Sequence, residues 1–199
     1  SRSATRTGPT WAPAGPAPPT PPAPTEPVYL NDNFGGRSLA APGNWWSQSI
    51  AAAPVDASSD AYIDFVGRTR GLHPDFGPPP YGIPYISVGG SQPRVPVTFT
   101  AYGSESDKGF GGVTGYPIPE EAKRQSNYIE GDQPGGGSSG DRHMLIVDRE
   151  RWVLFELYGT RWNDSGGRWE AASGAIFDLN GSARRPEGWT SADAAGLAI

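Results

Sequence analysis

The sequence predicts an all-β protein: a sandwich or jelly-roll-like fold with long Gly/Pro-rich loops and one short helix near 58–67. Three observations favour this class. The 28 glycines and 22 prolines make up about a quarter of the 199 residues, and both residue types destabilise helix interiors. The chain also contains seven Trp and eight Tyr, and aromatic residues are enriched in strands. Short alternating or β-branched runs recur between Gly- and Pro-containing segments, as expected for strands and turns.

Residues 1–27 differ in composition from everything that follows. They contain nine prolines, several Thr and Ala residues and a single bulky apolar residue, Trp11. Such a segment builds no core and is typical of an extended tail or linker. In extracellular bacterial proteins it joins a domain to an anchor or a second module and can carry O-linked glycans; a leader without a role is the alternative. Residues 28–199 are predicted to form one β-rich globular domain.

One helix is predicted in that domain, over 58–67. Asp56 or Ser58 can cap its beginning, and Gly67 or Gly71 can end it. Residues at helical spacing give it an apolar face, which consists of Ala57, Ala61, Tyr62, Phe65 and Val66.

Alternating patterns and β-branched residues predict the strands. The strands fall at 81–88, 95–102, 143–148, 151–158, 168–172 and 174–179, of which the last two form a strand pair or one bulged strand. Pro84 places the first strand at the edge of a sheet, because proline cannot donate a hydrogen bond to a neighbouring strand. Residues 103–140 are expected to be mostly loop.

The two apolar runs on either side of Arg149 and Glu150 predict a β-hairpin, the most informative part of the sequence. A two-residue loop would place His143 directly opposite Glu156 on one face of the sheet. The same register pairs Leu145 with Leu154 and Val147 with Trp152. A histidine beside a carboxylate among apolar neighbours is typical of a general-base pair. The alternative is that Glu156 only anchors a histidine of the core.

Composition argues against several functional classes. The chain contains no cysteine, so disulfides and thiolate metal sites are excluded. The net charge of −5 and the pI near 5.0 argue against a nucleic-acid partner. No apolar run approaches the roughly 20 residues of a membrane-spanning helix. No recognised metal-ligand spacing or nucleotide-binding glycine motif occurs, and we expect neither a metal nor a cofactor.

The candidate catalytic residues are Glu156, His143 and Asp141. Hydrolysis of a glycosidic bond needs two carboxyl groups flanking the bond, and Glu156 with Asp141 can supply them. Four tryptophans in or beside polar loops are candidates for stacking against sugars: Trp45, Trp46, Trp162 and Trp189. His73 and Asp75, in a loop framed by Pro and Gly, are expected to contact the same substrate. The alternative for each tryptophan is a place in the core or as a loop anchor.

Several short segments carry a family resemblance. They are NWW at 44–46, APVD at 53–56, LHPDFG at 72–77, YGIPY at 81–85, DRH at 141–143, FELY at 155–158 and GWTSADAAGL at 188–197. Together they resemble a group of secreted, β-rich bacterial proteins of uncharacterised activity, common in soil actinobacteria, myxobacteria and acidobacteria. The resemblance spans residues 28–199 and implies secretion and a β-rich fold, without an activity. The chains of the group that this sequence resembles are longer than this one. The apolar end at 197–199 likewise leads us to expect that a C-terminal portion or another chain completes the fold.

Two functional hypotheses follow. The first is a secreted carbohydrate-active protein, a polysaccharide hydrolase or lyase that uses Glu156 and His143, with a polysaccharide or glycan as partner. The second is a non-catalytic extracellular structural or adhesive surface protein, glycosylated on its Pro/Thr-rich tail. An open cleft lined by tryptophan and ending at Glu156 would favour the enzyme, and an acid–base pair sealed in the core would favour the scaffold.

Overall fold

The computed structural model of the protein describes residues 27–71, 82–131, 135, 140–191, 193 and 196–198. The strands of this part are β1 (Tyr29–Leu30), β2 (Tyr85–Val88), β3 (Val97–Phe99), β4 (Gly109–Phe110), β5 (Val113–Thr114), β6 (Met144–Asp148), β7 (Val153–Tyr158), β8 (Arg161–Asn163), β9 (Arg168–Ala171) and β10 (Ser173–Asp178). Its helices are α1 (Ser59–Val66) and short 3-10 turns at Phe34–Gly36, Trp45–Ser47, Gly103–Glu105 and Glu120–Lys123. The β-rich prediction is therefore confirmed. Among the described residues, no helix combines the length and the apolar composition needed to cross a bilayer.

The largest sheet contains five strands in the order β1-β2-β6-β7-β10. Its β2–β6 pair is parallel and its other pairs are antiparallel. The strands β3-β9-β8 form a second sheet, and β4 and β5 form a two-stranded third. Since β2 lies between β1 and β6, the prediction of an edge strand there is wrong. Pro84 precedes the first residue of β2, so it removes no hydrogen bond from the sheet.

The main core lies between the five-stranded and the three-stranded sheets. Ile86, Ile146 and Phe155 of the large sheet share one buried cluster with Trp169 and Ala171 of β9. The segment before β6 adds Tyr116, Ile118, Ala122, Tyr128 and Ile129. Side chains alternate between the two faces of a strand, and this cluster takes every second residue of β6 and β7.

The opposite face of the large sheet carries a smaller cluster. Its members include Ile83, Leu145, Val147, Trp152, Leu154, Ala175, Phe177 and Leu179. Phe34 packs edge-on against Trp152, with 5.4 Å between ring centroids. The Arg37 guanidinium lies over the same indole at 3.9 Å. Loop segments rather than a second sheet therefore cover this face in the described structure.

Helix α1 matches its predicted bounds within one residue at each end. The N–H of Ser58 donates to Asp56 Oδ1 at 2.7 Å just before the first turn, and Gly67, at a φ of 101°, ends the helix. The apolar face is not buried, since Phe65 is 93% exposed and Tyr62 is 66% exposed. The spacing of apolar residues thus predicts the helix correctly but not its surroundings.

The remaining strands depart from the prediction in length and partner. The strand predicted at 95–102 is shortened to β3, and Val95 forms an isolated bridge to Tyr116. The pattern over 168–179 forms two strands, β9 and β10, in different sheets. The sequence pattern does not predict β1, β4, β5 and β8, because two or three residues are too few to show a period.

The predicted hairpin exists as β6 and β7, but its register is wrong by two residues. Glu156 lies opposite Leu145 rather than opposite His143. The connection is the four residues 149–152 and not Arg149 and Glu150 alone. A shift of two residues leaves each side chain on its original face, so Glu156 remains on the face of the smaller cluster.

Asp148 accounts for the longer connection. Its Oδ1 accepts the backbone N–H groups of Glu150 at 3.1 Å and Arg151 at 2.9 Å, which is the hydrogen bonding of an Asx turn. Its carbonyl accepts the N–H of Trp152 at 2.8 Å. Trp152 has a φ of 56°, which is uncommon for a bulky residue, and its burial in the smaller cluster holds it there.

Candidate functional site

Glu130, not Glu156, is the carboxylate that binds His143. Its Oε2 lies 2.7 Å from His143 Nδ1 and also accepts the backbone N–H of His143 at 3.1 Å. In return, the N–H of Glu130 donates to the His143 carbonyl at 2.9 Å. The ring of Tyr158 lies beside the imidazole, with centroids 5.3 Å apart. The predicted pairing of His143 with Glu156 is therefore wrong, because the register moves Glu156 along the sheet and Glu130 takes its place. Nothing periodic in the sequence marks Glu130, which lies in a loop.

Glu156 and Asp141 occupy different environments. Glu156 lies within the sheet, between Leu145 of β6 and Ala175 of β10, and is 1% exposed. Asp141 is exposed, and its carbonyl accepts the N–H of Gly159 at 3.0 Å. Gly159, which Asp141 contacts, follows Glu156 by three residues, roughly 10 Å along an extended chain. The contact with Gly159 therefore does not bring Asp141 next to Glu156. Within the described part of the chain, no group of three or more His, Asp or Glu residues is placed to hold a metal ion.

The indole of Trp162 is in contact with other side chains of the protein. It packs against Trp169, with 5.5 Å between ring centroids. The Lys123 ammonium lies 3.9 Å from the centre of its ring, and its Nε1 donates to Asp164 at 3.0 Å. These contacts give Trp162 an anchoring role at the three-stranded sheet.

Two other candidate tryptophans are accessible. Trp46 is 56% exposed and Trp189 is partly buried, and each lines a cavity. The side chain of Trp45 lies outside the described residues, as do His73 and Asp75.

An apolar cavity of about 380 Å³ lies on the face of the smaller cluster. Its floor is formed by the strand residues Tyr85, Leu145, Val147, Leu154 and Phe177. Loop residues form its walls: Leu39, Ala40, Asn44, Trp46, Leu197 and Ala198. Small-molecule sites typically have volumes of roughly 300–1,000 Å³. We call this the first cavity. The apolar end of the chain, which was notable in the sequence, contributes to it because Ala198 packs against the smaller cluster.

A second cavity of about 610 Å³ shares part of the wall of the first. The shared residues are Arg184, Gly196 and Leu197. The rest of its lining is more polar and includes Arg185, Glu187 and Trp189. The two cavities thus differ in chemistry while touching at one wall.

Arg185 fixes the wall of the second cavity. Its side chain is 4% exposed and forms an ion pair with Asp107, and its Nη2 donates to the Glu105 carbonyl at 2.7 Å. The guanidinium lies 5.3 Å from the Trp189 ring. Asp107 also accepts the N–H of Ile176 in β10 at 2.9 Å. This network ties the loop that carries Trp189 to the edge of the large sheet.

Comparison with known proteins assigns no family to this chain. No protein-family model matches the sequence, and neither the curated proteins nor the solved structures provide a match. The function is therefore inferred from the cavities and from the placement of the acid–base residues.

Proposed function

We propose that this chain is a non-catalytic extracellular protein that binds the apolar part of a ligand in the first cavity. One observation carries the proposal. The face of the large sheet that opens into a cavity presents apolar side chains, whereas Glu156, on the same face, is 1% exposed. A general acid must come within hydrogen-bond reach of its substrate, and an apolar concavity is the usual site for a small ligand.

The floor of the first cavity supports this proposal because strands hold it in place. Leu145 and Val147 lie on β6, and Leu154 lies opposite Val147 on β7. Phe177 of β10 lies opposite Leu154 on the other side. A site built on paired strands loses little conformational freedom when a ligand binds, so more of the contact energy contributes to affinity.

Two further features support an extracellular, adhesive role. The Pro- and Thr-rich composition of 1–27 is that of a linker or glycosylated stalk. Trp46, exposed at the wall of the first cavity, offers a flat surface on which a glycan or aromatic group of a partner can stack. The β-sandwich expected from the sequence is part of the same proposal, and the core shared by the two larger sheets supports it.

Val147→Phe tests the proposal, because the added ring fills the floor of the first cavity. We expect the neutral probe N-phenyl-1-naphthylamine to bind the unaltered protein and to lose about tenfold or more in affinity for the variant. Leu39→Trp fills the cavity from a wall residue that is 43% exposed and serves if Val147→Phe does not fold. Val113→Phe, on β5 outside both cavities, is the matched control and should leave the affinity unchanged. Equal affinity in all four proteins would rule the proposal out.

A carbohydrate-active enzyme is the second candidate function. The observation that favours it is the Glu130–His143 pair at 2.7 Å, since a histidine oriented by a carboxylate is the usual arrangement of a general base. A screen for depolymerisation of polysaccharides tests it, with Glu156→Gln and Glu130→Gln as variants. An enzyme that uses this pair would show turnover that Glu130→Gln lowers sharply without a large change in Tm, because the carboxylate orients His143. A non-catalytic protein would show no turnover, and Glu130→Gln and Glu156→Gln would only lower the Tm.

A further inference from the structure

The two cavities can hold the two parts of one ligand. They share a wall that includes Arg184; the lining of the first is mostly apolar, whereas the second adds Arg185, Glu187 and Trp189. We infer that the ligand is an amphiphile with a short apolar chain and a neutral, sugar-like head. The chain occupies the first cavity and the head occupies the second. This inference rests on the proposed function and names the chemical class of its ligand.

The charges of the second cavity favour a neutral head over an anionic one. Arg185 is paired with Asp107, and Arg184 shares the cavity lining with the oppositely charged Glu187. A carboxylate or phosphate would need an uncompensated cation to offset the loss of its hydration. A polyhydroxyl head suits this lining better, because guanidinium groups donate hydrogen bonds and a carboxylate accepts them.

Trp189 provides a fixed flat surface for such a head. The guanidinium of Arg185, itself more than nine-tenths buried, lies 5.3 Å from the ring, and Trp189 remains partly exposed. Aromatic faces make favourable contacts with the apolar surface of other groups, and the faces of a sugar ring present C–H groups. Because Arg185 is held by Asp107 and by the Glu105 carbonyl, this surface is preorganised.

The first cavity sets the requirement for an apolar chain. Its floor of Leu145, Val147 and Leu154 offers no charged side chain, and Leu197 continues the apolar wall to the junction with the second cavity. Each buried CH₂ contributes enough free energy to improve affinity about fourfold. Affinity should therefore rise with chain length until the cavity is filled.

Calorimetric titration with hexyl, heptyl and octyl β-glucoside, each below its critical micelle concentration, tests the inference. We expect affinity to increase about fourfold per CH₂, and Val147→Phe to remove that increase. Octyl glucoside should bind more tightly than octanol or octanoate, since only the glucoside fills both cavities.

Variants of the second cavity distinguish the contribution of the ligand's head to affinity from that of its apolar chain. Trp189→Ala should lower the affinity for octyl glucoside about two- to tenfold and leave the affinity for octanol unchanged. Glu187→Gln, at an exposed position, should lower the affinity for octyl glucoside and raise the affinity for octanoate. It replaces Trp189→Ala if that variant does not fold. Tyr62→Ala, on α1 outside both cavities, is the matched aromatic control and should change neither affinity.

The outcomes distinguish this inference from the proposed function. Equal binding of octyl glucoside, octanol and octanoate, all sensitive to Val147→Phe, would overturn the sugar-like head and leave the proposed function standing. Tighter binding of octanoate would identify an anionic head and also overturn the inference. If neither the alkyl compounds nor N-phenyl-1-naphthylamine bind, both the inference and the proposed function fail.

Discussion

Glu170 accepts hydrogen bonds from three side chains on the outer face of the three-stranded sheet. Asn163 Nδ2 donates to Oε1 at 2.8 Å, Arg161 donates to Oε2 from Nε at 2.9 Å and from Nη2 at 2.8 Å, and Arg168 pairs with Oε1 at 2.7 Å. The bonds from Asn163, Arg161 and Arg168 lower the pKa of Glu170 from 4.5 to about 2. All these bonds favour the ionised carboxylate.

The lowered pKa of Glu170 predicts a dependence of stability on pH. A carboxyl group with a lower pKa in the folded state stabilises the protein above its unfolded pKa, and that stabilisation is lost as pH falls through the folded pKa. The unaltered protein should therefore lose stability between about pH 5 and pH 2 more steeply than Glu170→Gln. At pH 7 the variant should have the lower Tm. Parallel Tm curves from pH 7 to pH 2 would contradict this account.

At the scale of single elements, strand β10 depends on the absence of a side chain at Gly174. A Cβ there would collide with the Tyr116 hydroxyl and would lie 2.9 Å from the ring of Phe99. Tyr116 cannot move easily, since it is 1% exposed and donates to the Asp107 carbonyl at 2.6 Å. Its burial also raises the pKa of its hydroxyl far above the usual value. Gly174 is therefore needed where β10 passes the aromatic part of the main core.

Gly174→Ala should lower the free energy of unfolding by about 1–3 kcal/mol, the usual cost of overpacking a core. Urea denaturation measures the change. Gly71→Ala is the control, because a Cβ at Gly71 meets no atom of the described residues within 4 Å, and it should change stability by less than about 0.5 kcal/mol. If the two alanine variants were equally stable, the packing around Tyr116 would not constrain β10.

The hairpin of β6 and β7 shows how far local patterns predict an element. Alternation gives both strands and the face that each side chain occupies, and these predictions hold. The length of the connection depends on the hydrogen bonds of the Asp148 side chain and on the unusual backbone of Trp152. Trp152 is held by packing against Phe34, which is more than one hundred residues away in sequence. Contacts of this kind are outside the reach of a local pattern.

The candidate site was predictable to a similar extent. Trp46 and Trp162 both lie in polar sequence surroundings, yet Trp46 lines the first cavity and Trp162 anchors a sheet with Lys123. The partner predicted for His143 is wrong for the same reason, because Glu130 reaches the imidazole from a loop. The sequence predicts one apolar face on α1, and on that face Phe65 is almost fully exposed. Local sequence gives side-chain chemistry and spacing, while the neighbours come from the tertiary fold.

At the scale of the whole molecule, the large sheet has two unlike faces. One face is sealed against the three-stranded sheet and buries residues such as Leu157 and Phe155, which are 1% and 0% exposed. The other face packs against loops and opens into the first cavity next to Leu154. Truncation of a core side chain lowers the free energy of unfolding more when neighbours enclose that side chain on every side, because all of them lose contacts. Equal truncations on the two faces should therefore have unequal effects on stability.

Leu157→Ala and Leu154→Ala test this asymmetry, because both residues belong to β7 and lose the same atoms. Truncation of a buried leucine costs about 2–5 kcal/mol, depending on the cavity that remains. We expect Leu157→Ala to lie near the upper end, since its side chain is enclosed by the main core. Leu154→Ala should lie near the lower end, because it enlarges a cavity that already exists. Urea denaturation with a common m value gives both changes. A cost for Leu154→Ala equal to or above that for Leu157→Ala would mean that the second face is packed as tightly as the first, and the first cavity would then not be open in solution.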